Sequence, residues 1–506
     1  MVAQQVAVLL QSSPAGLSGL AESRPAPSRA YLFALPRPVL PSSGSRHTTS
    51  TEGLLVNADE SKAIAEILQE LSTTSHVQVR SSTELAAQVT KAAADEDEKR
   101  MEDGRGPLRR RTDYRAVRAA PRSLTLTPWQ VIHAIGLGAA SARQGAGRGL
   151  AEHWGSLRYS QALETNRGRY LQLSSEGRDL LRFYKATQSG EIGTGFASLL
   201  AENVVRSRYP DHSVSVIPAD VALKAGWTLR GSGTGNRPEP LQRRPHFFVE
   251  AWQPGQPSKV LLLSSKGTHS SVHQVQKQLS TASAHVESVH IGLYGTVPYL
   301  LIGTEIPTTE SLAVHILEAP GTTVLRPHGE TSEADLDLAL EQGNRMADVA
   351  RPADRGEATV PGFQVLPDSF AWFSVVLART EAATLTAFTG GGKPTAQYLT
   401  KEQGRRHFQH DVHANTAGLR DAEHRIHDID FVGTDHIYRL NGIRIEAFSG
   451  LKRSLYTHLH YGRVNEYRRE VHALRGQWPD RSTSEQWNAV SIRANGTVMA
   501  IRLQDE

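Results

Sequence analysis

The chain of 506 residues contains no cysteine. Disulfide bonds, thiolate zinc sites and cysteine nucleophiles are therefore excluded, and a reducing, cytoplasmic setting is expected. The sequence has no run of about 20 apolar residues, the length that a spanning helix needs, so no association with a membrane is expected. A short apolar stretch at residues 6–10 lacks a basic flank, and no secretion signal is predicted there.

Neither sign of charge is in large excess. The 56 basic and 52 acidic side chains give a formal net charge of +4, which would assist a phosphate-rich partner without requiring one. A basic stretch at 105–122 follows an acidic run at 95–98. It would either follow a nucleic-acid backbone or form a solvated linker partly neutralised by those acids, and the linker is favoured. The arginines of this stretch are Arg105, Arg109, Arg110, Arg111, Arg115, Arg118 and Arg122.

Composition and periodicity divide the chain into five parts. Residues 1–55 are rich in Ser, Pro, Gly and Ala and predict a disordered leader. Residues 56–125 predict a helical segment with a charged linker, and 126–320 a central domain. A linker at 321–354 and a C-terminal α+β domain at 355–506 follow. The predicted fold class is α/β, with a central mixed sheet flanked by helices.

The central region predicts an ordered series of helices and strands. A helix at 189–205 carries an apolar stripe and precedes three strands. The third strand contains an unbroken apolar run at 260–263, which is typical of a strand buried on both faces. The order helix, three strands, helix, strand predicts a layered α/β domain. The three strands are predicted at 213–219, 244–252 and 259–267, the second helix at 272–286, and later strands at 289–293, 297–303 and 312–317.

This order and two local motifs resemble the PD-(D/E)XK superfamily, the restriction-endonuclease-like fold, over about residues 180–320. In that family the second strand opens with Pro-Asp, the third ends in Glu-x-Lys, and the leading helix often carries a Glu. Here a Pro-His pair ending at His246 stands in place of Pro-Asp. A Ser-Ser-Lys run from Ser264 to Lys266 stands in place of Glu-x-Lys, and Glu191 matches the acid of the helix.

The resemblance implies phosphodiester hydrolysis with Mg²⁺ or Mn²⁺ held by two carboxylates. Ser264 cannot supply the missing charge, and His246 suits Zn²⁺ or Mn²⁺ better than Mg²⁺. The leading interpretation is a nucleic-acid-binding, regulatory or scaffold protein built on a catalytically degenerate nuclease-like domain, as in bacterial defence or DNA processing, with no cofactor. One alternative is an active metal-dependent nuclease whose metal ligands are Asp220, Glu191 and His246. A second alternative is a structural or interaction protein without nucleic acid.

An inactive domain of this kind would still offer positive charge to DNA or RNA. The predicted phosphate-binding residues are Arg243, Arg244 and Lys266, together with the helix N-terminus that follows Thr268. A protein partner is the other expectation.

The C-terminal region predicts a helix at 370–387, short strands around HIYRLNGIRIEAF, and a terminal hairpin that turns at Asn495-Gly496. Its GGGK run at 390–393 lacks the first glycine and the following Ser or Thr of a phosphate loop, so nucleotide binding is not expected.

The same region is rich in histidine. His427-Asp428, with Asp430 or Asp435 as a later acid, superficially fits a metal hydrolase of the HD type. The flanking Ile, Phe and Gly indicate instead that the pair leads into a strand, and scattered surface histidines are the favoured interpretation.

Overall fold

The computed structural model describes residues 58–118, 120–141, 152–226, 243–292, 297–321, 324–325, 347–349, 360–365, 367–404 and 419–504. The predicted leader at 1–55 and most of the predicted linker at 321–354 lie outside the described residues. Residues Val56–Glu506 belong to one unit by their mutual contacts.

Helices and strands alternate along most of the described chain. The α-helices are α1 (Ala58–Ser72), α2 (Thr83–Glu102), α3 (Pro128–Ala139), α4 (Ser175–Arg178), α5 (Arg182–Arg208), α6 (Ala219–Gly226), α7 (Val272–Val286), α8 (Phe370–Phe388), α9 (Lys393–Ala396), α10 (Lys401–Gly404), α11 (Arg453–His460) and α12 (Val464–Ala473), with 3₁₀ helices at Glu152–Tyr159 and Pro367–Ser369.

The strands are β1 (Ser75–Arg80), β2 (Arg115–Ala116), β3 (Ser123–Leu126), β4 (Leu163–Thr165), β5 (Leu171–Leu173), β6 (Ser213–Pro218), β7 (Phe247–Trp252), β8 (Ser258–Thr268), β9 (Val289–Ile291), β10 (Tyr299–Glu305), β11 (Ala313–Ala319), β12 (Val324–Leu325), β13 (Ala347–Val349), β14 (Val360–Val365), β15 (Leu419–Ile426), β16 (Ile429–Leu440), β17 (Ile443–Lys452), β18 (Ala489–Ile492) and β19 (Thr497–Leu503).

The largest sheet is mixed, with the strand order β3-β1-β11-β10-β8-β7-β6. Strands β6, β7 and β8 form an antiparallel meander, and β10 joins β8 in parallel after the crossover through α7. The short strand β9 pairs with β14 instead and leaves this sheet uninterrupted. The predicted order of helix, three strands, helix and strand is therefore confirmed, as is the α/β class with a mixed sheet flanked by helices.

Helices cover both faces of this sheet. Helix α5 packs its apolar stripe, including Phe196, against the face that carries Leu263. Helix α7 packs Val275 and Leu279 against the opposite face, which carries Leu262. Because successive side chains of a strand alternate between faces, even-numbered residues of β8 point toward α7 and odd-numbered residues toward α5.

Strand β1 lies in the segment that the sequence predicted as helical and linker. It pairs in parallel with β11, where Gln78 lies opposite Ala313, and antiparallel with β3. The central sheet therefore begins well before residue 126. The strand is only six residues long, and its parallel partner lies far along the chain, so no local sequence pattern predicts it.

The arginines at 109–111 are part of the fold. The Arg109 side chain is buried and donates to Asp97, a member of the preceding acidic run, at 2.9 Å. The guanidinium groups of Arg110 and Arg111 both bond to Glu287 of the α7 C-terminal turn, at 3.1 and 3.3 Å. The acidic run does neutralise the basic stretch in part, as favoured, but the expectation that these three side chains are solvated is wrong.

The C-terminal sheet has the order β15-β16-β17-β19-β18. The predicted helix at 370–387 is confirmed as α8, and the terminal hairpin is confirmed as β18 and β19 with Gly496 in the turn at φ 84°. Asn441 and Gly442, at φ 47° and 86°, form the turn between β16 and β17. A turn with positive φ favours Asn and Gly, which is why these dipeptides indicate hairpins. Among the described helices, none has the length and apolar character needed to cross a membrane.

Candidate functional site on the central sheet

Strand β8 continues beyond the beginning of β7. Phe247, the first residue of β7, lies opposite Leu263, and the His246 N–H donates to the Leu263 carbonyl at 2.8 Å. Residues 264–268 of β8 pair with β10 on one side, and no described strand pairs with their other edge. The predicted Ser-Ser-Lys motif lies at this open edge.

Three of the predicted site residues share the face that α7 covers. The Nδ1 atom of His246 lies 3.3 Å from Ser264 Oγ and accepts the Ser265 N–H at 3.2 Å. Lys266 lies on the same face as Ser264, because side chains two residues apart in a strand point the same way. Its cross-strand partner Gly303 also faces α7, since a Cβ on that glycine would lie 2.7 Å from a side chain of α7. His246, Ser264 and Lys266 therefore belong to one site.

The site contains a second histidine that the sequence did not single out. His285 of α7 stacks on His246, with ring centroids 6.3 Å apart and the planes inclined by 11°. Burial, followed by the charge of Lys266, lowers the pKa of His246 to about 3 and that of His285 to about 4. Both imidazoles are therefore neutral at neutral pH. The available signal was helical spacing, since His285 lies three residues after the buried Ala282.

Lys266 brings positive charge to the open edge. Its side chain is half-buried, and burial lowers the pKa of its ammonium group from the usual value. In the described part of the chain, no side chain forms an ion pair or hydrogen bond with this ammonium group. A partly desolvated cation without an anionic neighbour favours an anion supplied from outside.

The other predicted phosphate-binding residues differ in their partners and in their burial. Arg244 pairs with Asp220, so the charge of one offsets the charge of the other. Arg243 is half-buried and lies near enough to His285 for its charge to contribute to lowering the pKa of that imidazole. The hydroxyl of Thr268 accepts a backbone N–H two residues further on, at 3.0 Å, and so shapes the turn into α7.

The predicted acids have partners of their own. Glu191 lies on α5, the helix on the opposite face of the sheet from Lys266. Its carboxylate accepts the Tyr159 hydroxyl at 2.8 Å and lies 3.4 Å from Arg158. Asp220 is likewise engaged by Arg244, so each of the two named carboxylates already has a partner in the fold.

The HD-type pair lies in an exposed turn. His427 and Asp428 have φ values of 50° and 63° and connect β15 to β16, and the Asp428 side chain is 96% exposed. The interpretation that the pair leads into a strand is confirmed. The three glycines of the GGGK run likewise form a turn after α8, with φ values of 122°, 77° and 73°, and the lysine of the run begins α9.

A different group of potential metal ligands lies on the C-terminal sheet. His424 Nε2 lies 2.9 Å from Asp435 Oδ1, and ligand atoms of these two residues and Glu446 lie within 4.8 Å of one another. The Arg502 guanidinium binds Glu446 at 2.7 Å and already supplies positive charge there. These side chains therefore form a hydrogen-bonded group that includes the Glu446–Arg502 ion pair, and neither Glu446 nor Arg502 was singled out from the sequence.

Comparisons with models of protein families, with curated proteins and with solved structures find no match to this chain. The chemistry of the site follows from its own groups. An ammonium group, two neutral imidazoles and a hydroxyl offer hydrogen bonds and positive charge, whereas Mg²⁺ requires hard anionic oxygens. This set of groups suits an oxyanion.

Proposed function

We propose that this chain binds nucleic acid at the open edge of β8 and does not hydrolyse it, as a catalytically degenerate domain of the PD-(D/E)XK type. The observation that carries the proposal is the shared face of His246, Ser264 and Lys266. The lysine of the motif is present there, and uncharged side chains occupy the two positions where the family has carboxylates. The element order from α5 to β10 supports the same assignment.

Binding without hydrolysis is chemically consistent with this set of groups. The Lys266 ammonium group would contact a phosphate oxygen, and Arg243 would add charge beside it. Two imidazoles held neutral by burial would not repel the cations of the site, and they could donate hydrogen bonds. A regulatory or scaffolding role in bacterial defence or DNA processing is then an analogy at the level of fold.

The test is binding of fluorescent duplex DNA and single-stranded RNA, measured by anisotropy over a range of salt concentrations. Lys266→Ala should weaken binding by about tenfold and reduce the slope of log affinity against log salt by about one. Lys277→Ala, which removes an exposed lysine from α7, is the matched control and should retain wild-type binding. Absence of binding, or equal loss in both variants, would contradict the proposal.

A digestion assay with Mg²⁺ and with Mn²⁺ addresses the absence of hydrolysis separately. No cleavage of DNA or RNA is expected from the wild-type chain. Cleavage that disappears in Lys266→Ala would show that the site is an active nuclease with other metal ligands.

A further inference from the structure

A pocket lies between β6, β7, α8 and α12, apart from the site on β8. Its volume is about 660 Å³. Ser215, Trp252, Glu381 and Tyr467 contribute buried parts of its wall. Pockets of roughly 300–1,000 Å³ that combine aromatic surface with a few polar groups are typical of small-molecule sites.

Glu381 has one carboxyl oxygen with a partner and one without. The Trp252 indole N–H donates to Ser215 Oγ at 2.8 Å, so the Ser215 hydroxyl is left to donate to Glu381 Oε1, at 2.5 Å. Glu381 is only 7% exposed, and its Oε2 atom is buried without a hydrogen-bond partner among the described residues. When Glu381 is ionised, this buried oxygen requires a hydrogen-bond donor.

The charge around Glu381 is otherwise balanced. Glu250 pairs with Arg468 at 2.5 Å, and the Arg468 guanidinium lies over the Trp252 ring at 4.1 Å. An ionised Glu381 therefore adds an uncompensated negative charge to this buried group. Burial accordingly raises the pKa of Glu381 to about 7.

Charged groups at the mouth of the pocket are exposed. Arg206 pairs with Glu202, Arg475 hydrogen-bonds to the carbonyl of the residue at 472, and Asp480 contributes an acid. Burial lowers the pKa of His212, which also lines the pocket, so that this imidazole is neutral at neutral pH. Charges in the exposed part of the lining are screened by solvent, whereas Glu381 is buried. Glu381 therefore has the larger influence on the charge that a ligand carries.

We propose that this pocket binds a small organic cation whose primary ammonium group donates to Glu381 Oε2 once the carboxyl group rotates toward the pocket, and whose hydrocarbon part packs against Trp252 and Tyr467. An ammonium group supplies the donor that Oε2 lacks and the charge that the buried group lacks. The aromatic walls stabilise the hydrocarbon part of the ligand by burying its apolar surface. A carboxylate ligand would bring like charges together.

Benzylamine is the probe, and benzyl alcohol and benzoate are its neutral and anionic counterparts of similar shape. Isothermal titration calorimetry on the full chain should show benzylamine binding at least tenfold more tightly than either counterpart. In Glu381→Gln, whose amide oxygen still accepts from Ser215, benzylamine should fall to the affinity of benzyl alcohol. Glu466→Gln, an exposed change on α12, should leave the preference intact.

Failure of benzylamine to bind, equal binding of the three probes, or a preference that persists in Glu381→Gln would each overturn the proposal. Thermal unfolding of Glu381→Gln checks that the variant is folded. If it is not, Glu381→Asp withdraws the carboxylate by one methylene, and selective loss of benzylamine binding in that variant is then the expected result.

Discussion

Arg109 joins α2 to α7, and its replacement by methionine is expected to weaken the attachment of α2 to the central domain. The buried guanidinium donates to Asp97 at 2.9 Å, to Ser283 Oγ at 2.7 Å and to the Ser280 carbonyl at 2.8 Å. Methionine retains the hydrocarbon part of the side chain but removes the cationic partner of the buried Asp97. Removing one partner of a buried ion pair costs about 3–5 kcal/mol. The lower end applies here, because Asp97 also accepts the Leu108 N–H at 2.8 Å.

Native-state hydrogen exchange of the α2 amides measures this loss directly, because it reports the free energy of local opening. A loss of about 3 kcal/mol corresponds to exchange about a hundredfold faster, at about 1.4 kcal/mol per tenfold. Arg105→Met is the control, since Arg105 is 59% exposed and pairs with an exposed acid, and it should change exchange by less than about fivefold. Exchange in Arg109→Met within threefold of wild type would refute the structural role assigned to this arginine.

Three further predictions concern stability. The pKa values of His246 and His285 in the folded chain, about 3 and about 4, lie below the pKa near 6.5 of a histidine in the unfolded chain. The unfolded chain therefore binds more protons, and the free energy of unfolding should fall as pH decreases from about 6.5 toward about 4. His285→Asn should flatten that dependence in thermal unfolding, and an unchanged profile would contradict it. Gly267→Ala should cost about 3 kcal/mol, because its Cβ would lie 1.8 Å from the Ser189 carbonyl oxygen. Gly190→Ala on α5 meets no atom within 4 Å and should stabilise by up to about 1 kcal/mol. Urea unfolding of the two glycine variants should therefore give shifts of opposite sign.

Elements with a strong apolar period were predicted closely. The helix predicted at 272–286 is observed at Val272–Val286, and the strand predicted at 259–267 is observed at Ser258–Thr268. The helix predicted at 189–205 is longer in the structure, because its first turns carry Phe183 and Tyr184, 67% and 51% exposed, outside the apolar stripe. A stripe defines the buried part of a helix and leaves its solvent-exposed ends undefined.

Only the part of the candidate site that lies on neighbouring paired strands could be predicted from the sequence. Strand alternation and the β7–β8 meander suffice to bring His246 and Ser264 together with Lys266. The partners of Glu191 and Asp220 were not predictable, because Tyr159 and Arg244 reach them through tertiary packing that no local spacing records. The ring contact of His285 with His246 and the hydrogen bond of Glu381 with Ser215 depend on tertiary packing in the same way.

The position of β1 beside β11 affects how the chain folds during its synthesis and how it can be shortened. β1 is synthesised early, but its parallel partner follows only at Ala313–Ala319, so the strand must wait for most of the central domain. Contacts between segments so far apart in sequence form slowly and leave strand edges open in the meantime. A shortened chain that begins at residue 126 would retain the series of elements from α5 to β10, yet it would expose the edge of β11 permanently. Such an edge pairs readily with other chains, so soluble truncations should retain residues 58–126.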